Sequence, residues 1–207
     1  NRILALYDRK IVFQGDPEEF EALDHPFRDE LITSLESLGE ELTGLYSRRH
    51  FKVRYQSDLS QRHPDASYAA AVFVLEEMDT IQEKLGHDAA QQIIRSLGSY
   101  INKHFGAVGG FSSRQTINEY ATVLPYSDLE EAKRIMEDFT KDFQAHGMPD
   151  VGSMISGESS ADECIEVNIS AGLAQGKPQI EIESVMEFAR FNQAEIARFK
   201  CARGGKA

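Results

Sequence analysis

Residues 114–125 read R-Q-T-I-N-E-Y-A-T-V-L-P, and the fold turns on this stretch. Tyr120 to Leu124 are strand formers, and Pro125, which has no N–H to give a ladder, ends the run. Ser127-Asp128-Leu129-Glu130 then opens an acidic helix start. With Phe111 to Arg114 leading in, the stretch predicts a β-hairpin turn that feeds a buried strand. Working outward, Tyr68 to Leu75 (Y-A-A-A-V-F-V-L) is a continuous apolar run, as expected of a central strand buried on both faces. Cys164 to Ala174 reads as a further strand. Helices are predicted from Ser47 to about Ser60, up to Leu85, from Gly86-His87-Asp88 to about His104, and from Leu129 to Ala145. Glu181 to Ala202 reads as a last helix that ends at Gly204-Gly205. This order predicts an α+β fold, a central and mainly antiparallel sheet flanked by helices.

Before this block, Ile3–Tyr7 and Ile11–Gln14 form a hairpin pattern closed by Gly15. Asp16-Pro17-Glu18-Glu19 starts a helix, and a second runs from Asp24-His25-Pro26 through Leu38. An N-terminal hairpin and helix appendage is expected.

Composition narrows the function classes. The 207 residues suit one sizeable core and a small appendage. No stretch approaches the roughly 18 apolar residues of a membrane span, and no secretory signal opens the chain, so a cytoplasmic location is expected. The first residue is Asn and a strand pattern begins almost at once, which points to a piece of a longer chain. Cys164 and Cys201 lack metal-ligand spacing and fit a reduced setting. The net charge of -12 argues against nucleic acid and handicaps a polyphosphate site unless cations compensate.

Four strings resemble GGDEF-family diguanylate cyclase domains. Leu42 to Phe51 is similar to the family's "LTGLYNRRxF", and Gly86-His87 anchors "DxDxFKxxNDxxGHxxGD". Val167 to Ala174 resembles "vTvSiGiA", and the hairpin turn takes the place of R-Y-G-G-D/E-E-F. The resemblance implies a nucleotide-cyclase-like fold with a ferredoxin-like core over residues 42–205. Residues 1–41 separately resemble the C-terminal tail of an ABC-transporter ATPase, through R-I-L-A-L-Y-D-R-K-I-V-F-Q-G-D-P-E-E-F. The chain holds no P-loop, so ATP binding is not expected of it.

The family condenses two GTP molecules into cyclic di-GMP with Mg²⁺ or Mn²⁺ held by carboxylates, because hard cations take oxygen ligands. By resemblance, the signature positions fall on Thr116, Ile117, Asn118, Glu119 and Tyr120, and only the glutamate is kept. The metal-binding Asp of the first strand falls on Val74, which has no lone pair to give, and the next on Glu76. Asn118 brings an oxygen without charge. The two guanine-reading positions fall on Gln82 and Gln91, the family's Lys on Asp79, and the product-site R-x-x-D on Ala107 to Gly110. The phosphate-side "ADxALYxAKxxGRN" is faintly echoed by Ala197 to Gly204. Thr116 and Ile117 replace glycines, and holding either at positive φ would cost about 1–2 kcal/mol. A rearranged turn and a blocked pocket are expected.

The vestigial nucleotide pocket is therefore Glu76, Gln82, Gln91, Asn118 and Glu119, with no metal, cofactor or catalytic residue. Glu119 reads either as a remnant metal ligand or as a solvated acid beside a turn, with the second favoured. His87 reads as a helix-start residue, and His50 and His104 lack spaced partners for zinc. Glu76-Glu77-Asp79 reads as a solvated edge or a cation site; Arg48-Arg49 as phosphate-holding; Lys200 and Arg203 as that or as helix-end cations. The leading expectation is an inactive GGDEF-like regulatory or interaction domain fused behind an ABC ATPase. Its partner would be a protein or a second copy, with no nucleic acid and no membrane insertion beyond peripheral attachment at the inner face through a transporter. The alternatives are a GTP or nucleotide sensor without turnover, and an active cyclase with unusual ligands.

Overall fold

The computed structural model describes residues 3–7, 10–15, 19, 39–59, 62–63, 66–147 and 166–200. The chain divides into two compact units, Asn1–Leu38 and Gly39–Ala207. In the first, strands β1 (Ile3–Tyr7) and β2 (Lys10–Gly15) pair antiparallel, with a register shift between Ala5 and Leu6. Apart from Glu19, the connector helices expected over 16–38 lie outside the described residues.

The second unit is built on β3 (Tyr68–Leu75), with β4 (Phe111–Arg114), β5 (Glu119–Leu124), β6 (Glu166–Gly176) and β7 (Ala194–Lys200). The order is β4-β5-β3-β6-β7, and all four pairings are antiparallel. Strand β3 is central and buried on both faces, which explains its uninterrupted apolar run. Residues 69, 71, 73 and 75 pack against helices α2 (Met78–Leu85), α3 (His87–Ile101) and α4 (Leu129–His146). Residues 68, 70 and 72 face α1 (Arg48–Leu59) and α5 (Ile182–Phe191). The fold is thus the expected α+β, one antiparallel sheet with helices on both faces.

Local chemistry sets the element ends. Ser47 caps α1, its Oγ accepting from the His50 N–H at 3.3 Å, and Asp128 caps α4 through the Glu131 N–H at 2.8 Å. Gly86 ends α2 and begins α3 at φ 84°, ψ 169°, a conformation that disfavours any side chain. The Leu42–Tyr46 string folds onto the sheet edge: Tyr46 donates its N–H to the Ser112 carbonyl at 3.0 Å, and Thr43 packs against Gly98 of α3.

Three predicted boundaries are corrected. Helix α3 stops at Ile101 and passes into a π-helical turn, Asn102–Gly106. The strand read from Cys164 to Ala174 extends to Gly176 in its described part. The last helix does not run to Ala202: it ends at Phe191, where Asn192 takes the C-cap, and 194–200 is an edge strand. Lys200 therefore lies on a strand, and Arg203 is outside the described residues.

Candidate functional site

The signature turn lies at one end of the sheet, where β3 finishes, β5 begins and α5 ends. Antiparallel register puts Val74 opposite Glu119 on one side and opposite Ser170 on the other. The turn is fastened to the end of β3 twice. The Leu75 N–H donates to the Asn118 carbonyl at 2.8 Å, and Asn118 Nδ2 donates to the Leu75 carbonyl at 3.2 Å.

Thr116 organises the turn from within. Its Oγ1 accepts the backbone N–H groups of Asn118 at 3.4 Å and Glu119 at 3.1 Å, and donates to Asn118 Oδ1 at 2.9 Å. Among the described residues Glu77 alone carries a non-glycine side chain at positive φ. The turn therefore holds Thr116 and Ile117 without the left-handed strain that glycine-requiring geometry would impose. The Tyr120 hydroxyl, the one addition over Phe, is satisfied by the Ile94 carbonyl at 2.9 Å, and burial pushes its phenol well above the ordinary range.

Glu119 is neither solvated nor open. Its side chain is 14 % exposed and lies in a two-pronged pair with Arg190, which is 38 % exposed. Arg190 Nε donates to Oε2 at 2.9 Å and Nη2 to Oε1 at 2.8 Å. The hydrogen bond from Arg190 to Glu119 raises the guanidinium still further above its ordinary value. The reading of Glu119 as a solvated acid is corrected by this partner. Sequence reading missed Arg190 because it ran the last helix past residue 191 and set the phosphate-side pattern against 197–204. The usable signal was the C-cap at Asn192.

The residues singled out earlier thus gather in two sets. Val74, Glu76, Asn118 and Glu119 meet at the sheet end; the Glu76 N–H bonds the Asn168 carbonyl at 2.9 Å. Gln82 and Gln91 gather instead on His87, at 3.4 Å to Nδ1 and 2.6 Å to Nε2. A neutral imidazole offers one donor and one acceptor, so one of the two amides presents its oxygen to the ring. His87 is thereby more than a helix-start residue: it bridges the two positions. His104, which has no spaced partner in sequence, meets Asp142 of α4 at 2.7 Å, beside Lys103 at 2.5 Å and His146 at 3.1 Å. Positions 107, 109 and 110 line a cavity of about 600 Å³, together with Tyr46, Arg54 and Lys103.

A divalent cation does not fit the sheet end. It needs anionic oxygens with lone pairs to spare. Among the described residues no three His, Cys, Asp or Glu side chains gather to hold one. Val74 has no donor atom, and the Asn118 amide oxygen and both Glu119 oxygens already accept hydrogen bonds from Thr116 and Arg190.

The model of the family described as "Diguanylate cyclase, GGDEF domain" matches residues 39–195. The chain belongs to that family. Solved structures of the same fold include the GGDEF domain of DgcB from Caulobacter crescentus in complex with c-di-GMP, at 19 % identity and TM-score 0.59, covering 74 % of this chain and 84 % of that one. The FimX GGDEF domain from Pseudomonas aeruginosa is similar at 18 % identity and TM-score 0.59, over 75 % and 91 %. Diguanylate cyclase SiaD from the same organism, in complex with its activator SiaC, is similar at 17 % identity and TM-score 0.60, over 84 % and 63 %. No curated protein sequence matches the chain.

Proposed function

We propose that this is a degenerate GGDEF domain that serves as a regulatory or interaction module and makes no cyclic di-GMP. The observation that carries the reading is the double grip of Arg190 on Glu119. The last carboxylate of the signature already has its cation, supplied by the protein itself. Its cross-strand neighbour is Val74, which offers a metal nothing. In this reading residues 1–41 are the tail of an ABC-type ATPase, and the domain acts through a protein partner or a second copy, at the inner membrane face when the transporter is assembled. SiaD in complex with its activator is a relative in which such a domain belongs to a protein that binds another.

A nucleotide sensor without turnover is the second reading, supported by the two glutamine amides gathered at the surface on His87. Calorimetric titration of the 207-residue chain with GTP plus Mn²⁺, then with cyclic di-GMP, separates the two. The interaction module gives no heat with either. Micromolar GTP binding would replace it with the sensor.

A further inference from the structure

We propose that the face shared by the degenerate turn and helix α5 is a docking surface for a basic, amphipathic protein segment. This rests on the reading of the domain as an interaction module. Phe188 and Phe191 of α5 are 63 % and 89 % exposed, and Ile117 at the tip of the turn is 53 % exposed. Phe191 follows the arginine that holds Glu119, and Ile117 lies two residues before that glutamate. The ion pair thus clamps together the two segments that carry the three apolar side chains. Phe188 and Phe191 stand three residues apart on α5 and so share a helix face, and contiguous exposed apolar surface of this kind marks contact sites.

The surroundings are acidic. Glu187 lies one helical turn before Phe191 and is itself exposed. Glu77 and Asp79 are exposed just beyond Leu75, the residue bonded to Asn118 in the turn. Glu77 sits at φ 53°, ψ 37°, a left-handed conformation that is uncommon for a side chain of this kind. Two cations at α5 are already matched: Arg190 by Glu119, and Lys52 by Glu183 at 2.8 Å. Lysine and arginine flanking an apolar anchor would complement this rim. A second copy would not. A two-fold contact sets the same acidic patch against itself, in a chain whose net charge is already -12.

The test uses a fluorescent Leu/Lys amphipathic peptide of about 18 residues, long enough to form a helix, and its Leu/Glu counterpart. Anisotropy is read with the full chain, with Phe188→Ser/Phe191→Ser, and with Ile117→Ser. The Leu/Lys peptide binds, the double variant weakens it at least about tenfold with unchanged thermal melting, and the Leu/Glu peptide does not bind. Four results would overturn the proposal: no binding of the Leu/Lys peptide, equal binding to the double variant, equal binding of the Leu/Glu peptide, or Phe191-dependent dimers in sedimentation. Peptide failure without nucleotide binding removes this surface and leaves the module reading standing. GTP turnover removes the module reading whatever the peptide does.

Discussion

Arg190 holds both carboxylate oxygens of Glu119, at 2.9 and 2.8 Å, and so fixes the end of α5 to the start of β5. The two residues are 71 apart in sequence, and the pair spans the layer between helix and sheet. Removing the arginine leaves a largely buried carboxylate unpaired. Arg190→Ala is expected to destabilise the domain by about 1–2 kcal/mol, discounted for the partly exposed guanidinium. Urea unfolding measures it, and Glu119→Gln/Arg190→Ala should recover part of the loss.

The reach of that arginine depends on how closely α5 lies on the sheet. A Cβ on Gly172 of β6 would meet the Ala189 carbonyl oxygen at 1.9 Å, a backbone atom that moves only with the helix. Gly172→Ala is expected to cost about 3 kcal/mol or more by overpacking. It also displaces Arg190 from Glu119. The check is the melting temperature of the single variant against Arg190→Ala/Gly172→Ala: if the helix shift already breaks the pair, the two losses are less than additive.

Thr116 does by side chain what the family's glycines do by backbone freedom. Its hydroxyl accepts two N–H groups and donates to Asn118. Thr116→Ser should be close to neutral, and Thr116→Ala should lose about 0.5–1.5 kcal/mol. Hydrogen exchange at the Asn118 and Glu119 amides, faster in the Ala variant alone, is the direct readout.

Asp142 makes stability depend on acid. Hydrogen bonds from Lys103, then His104 and His146, hold its carboxyl well below the usual range. A depressed carboxyl stabilises the fold fully above its unfolded value near pH 4, and that stability fades as pH falls towards the folded value. Urea stability of the wild type should therefore drop more steeply from about pH 4.5 to 2.5 than that of Asp142→Asn.

Much of the architecture was legible because burial writes itself into composition. Tyr68–Leu75 had no polar residue to spare, and a strand with helices on both faces permits none. The family strings likewise marked the hairpin turn and Gly86-His87, and at Gly86 the backbone geometry limits the residue type. Strand β7 was not legible: A-E-I-A-R-F-K carries helix formers, and pairing with β6 overrides their preference. Arg190 was missed for a related reason. A salt bridge between distant elements leaves no periodic trace, and its importance emerges only when Glu119 is seen to have both oxygens engaged. The same holds for His104, which finds Asp142 38 residues away.

Incubation of the chain with GTP and Mn²⁺, followed by chromatographic analysis for cyclic di-GMP, tests the central claim most directly. With Glu119 held by Arg190, and Val74 where the resemblance puts the family's metal-binding Asp, the account predicts GTP unchanged and no product. Cyclic di-GMP formed by the wild type and lost in Glu119→Gln would contradict it.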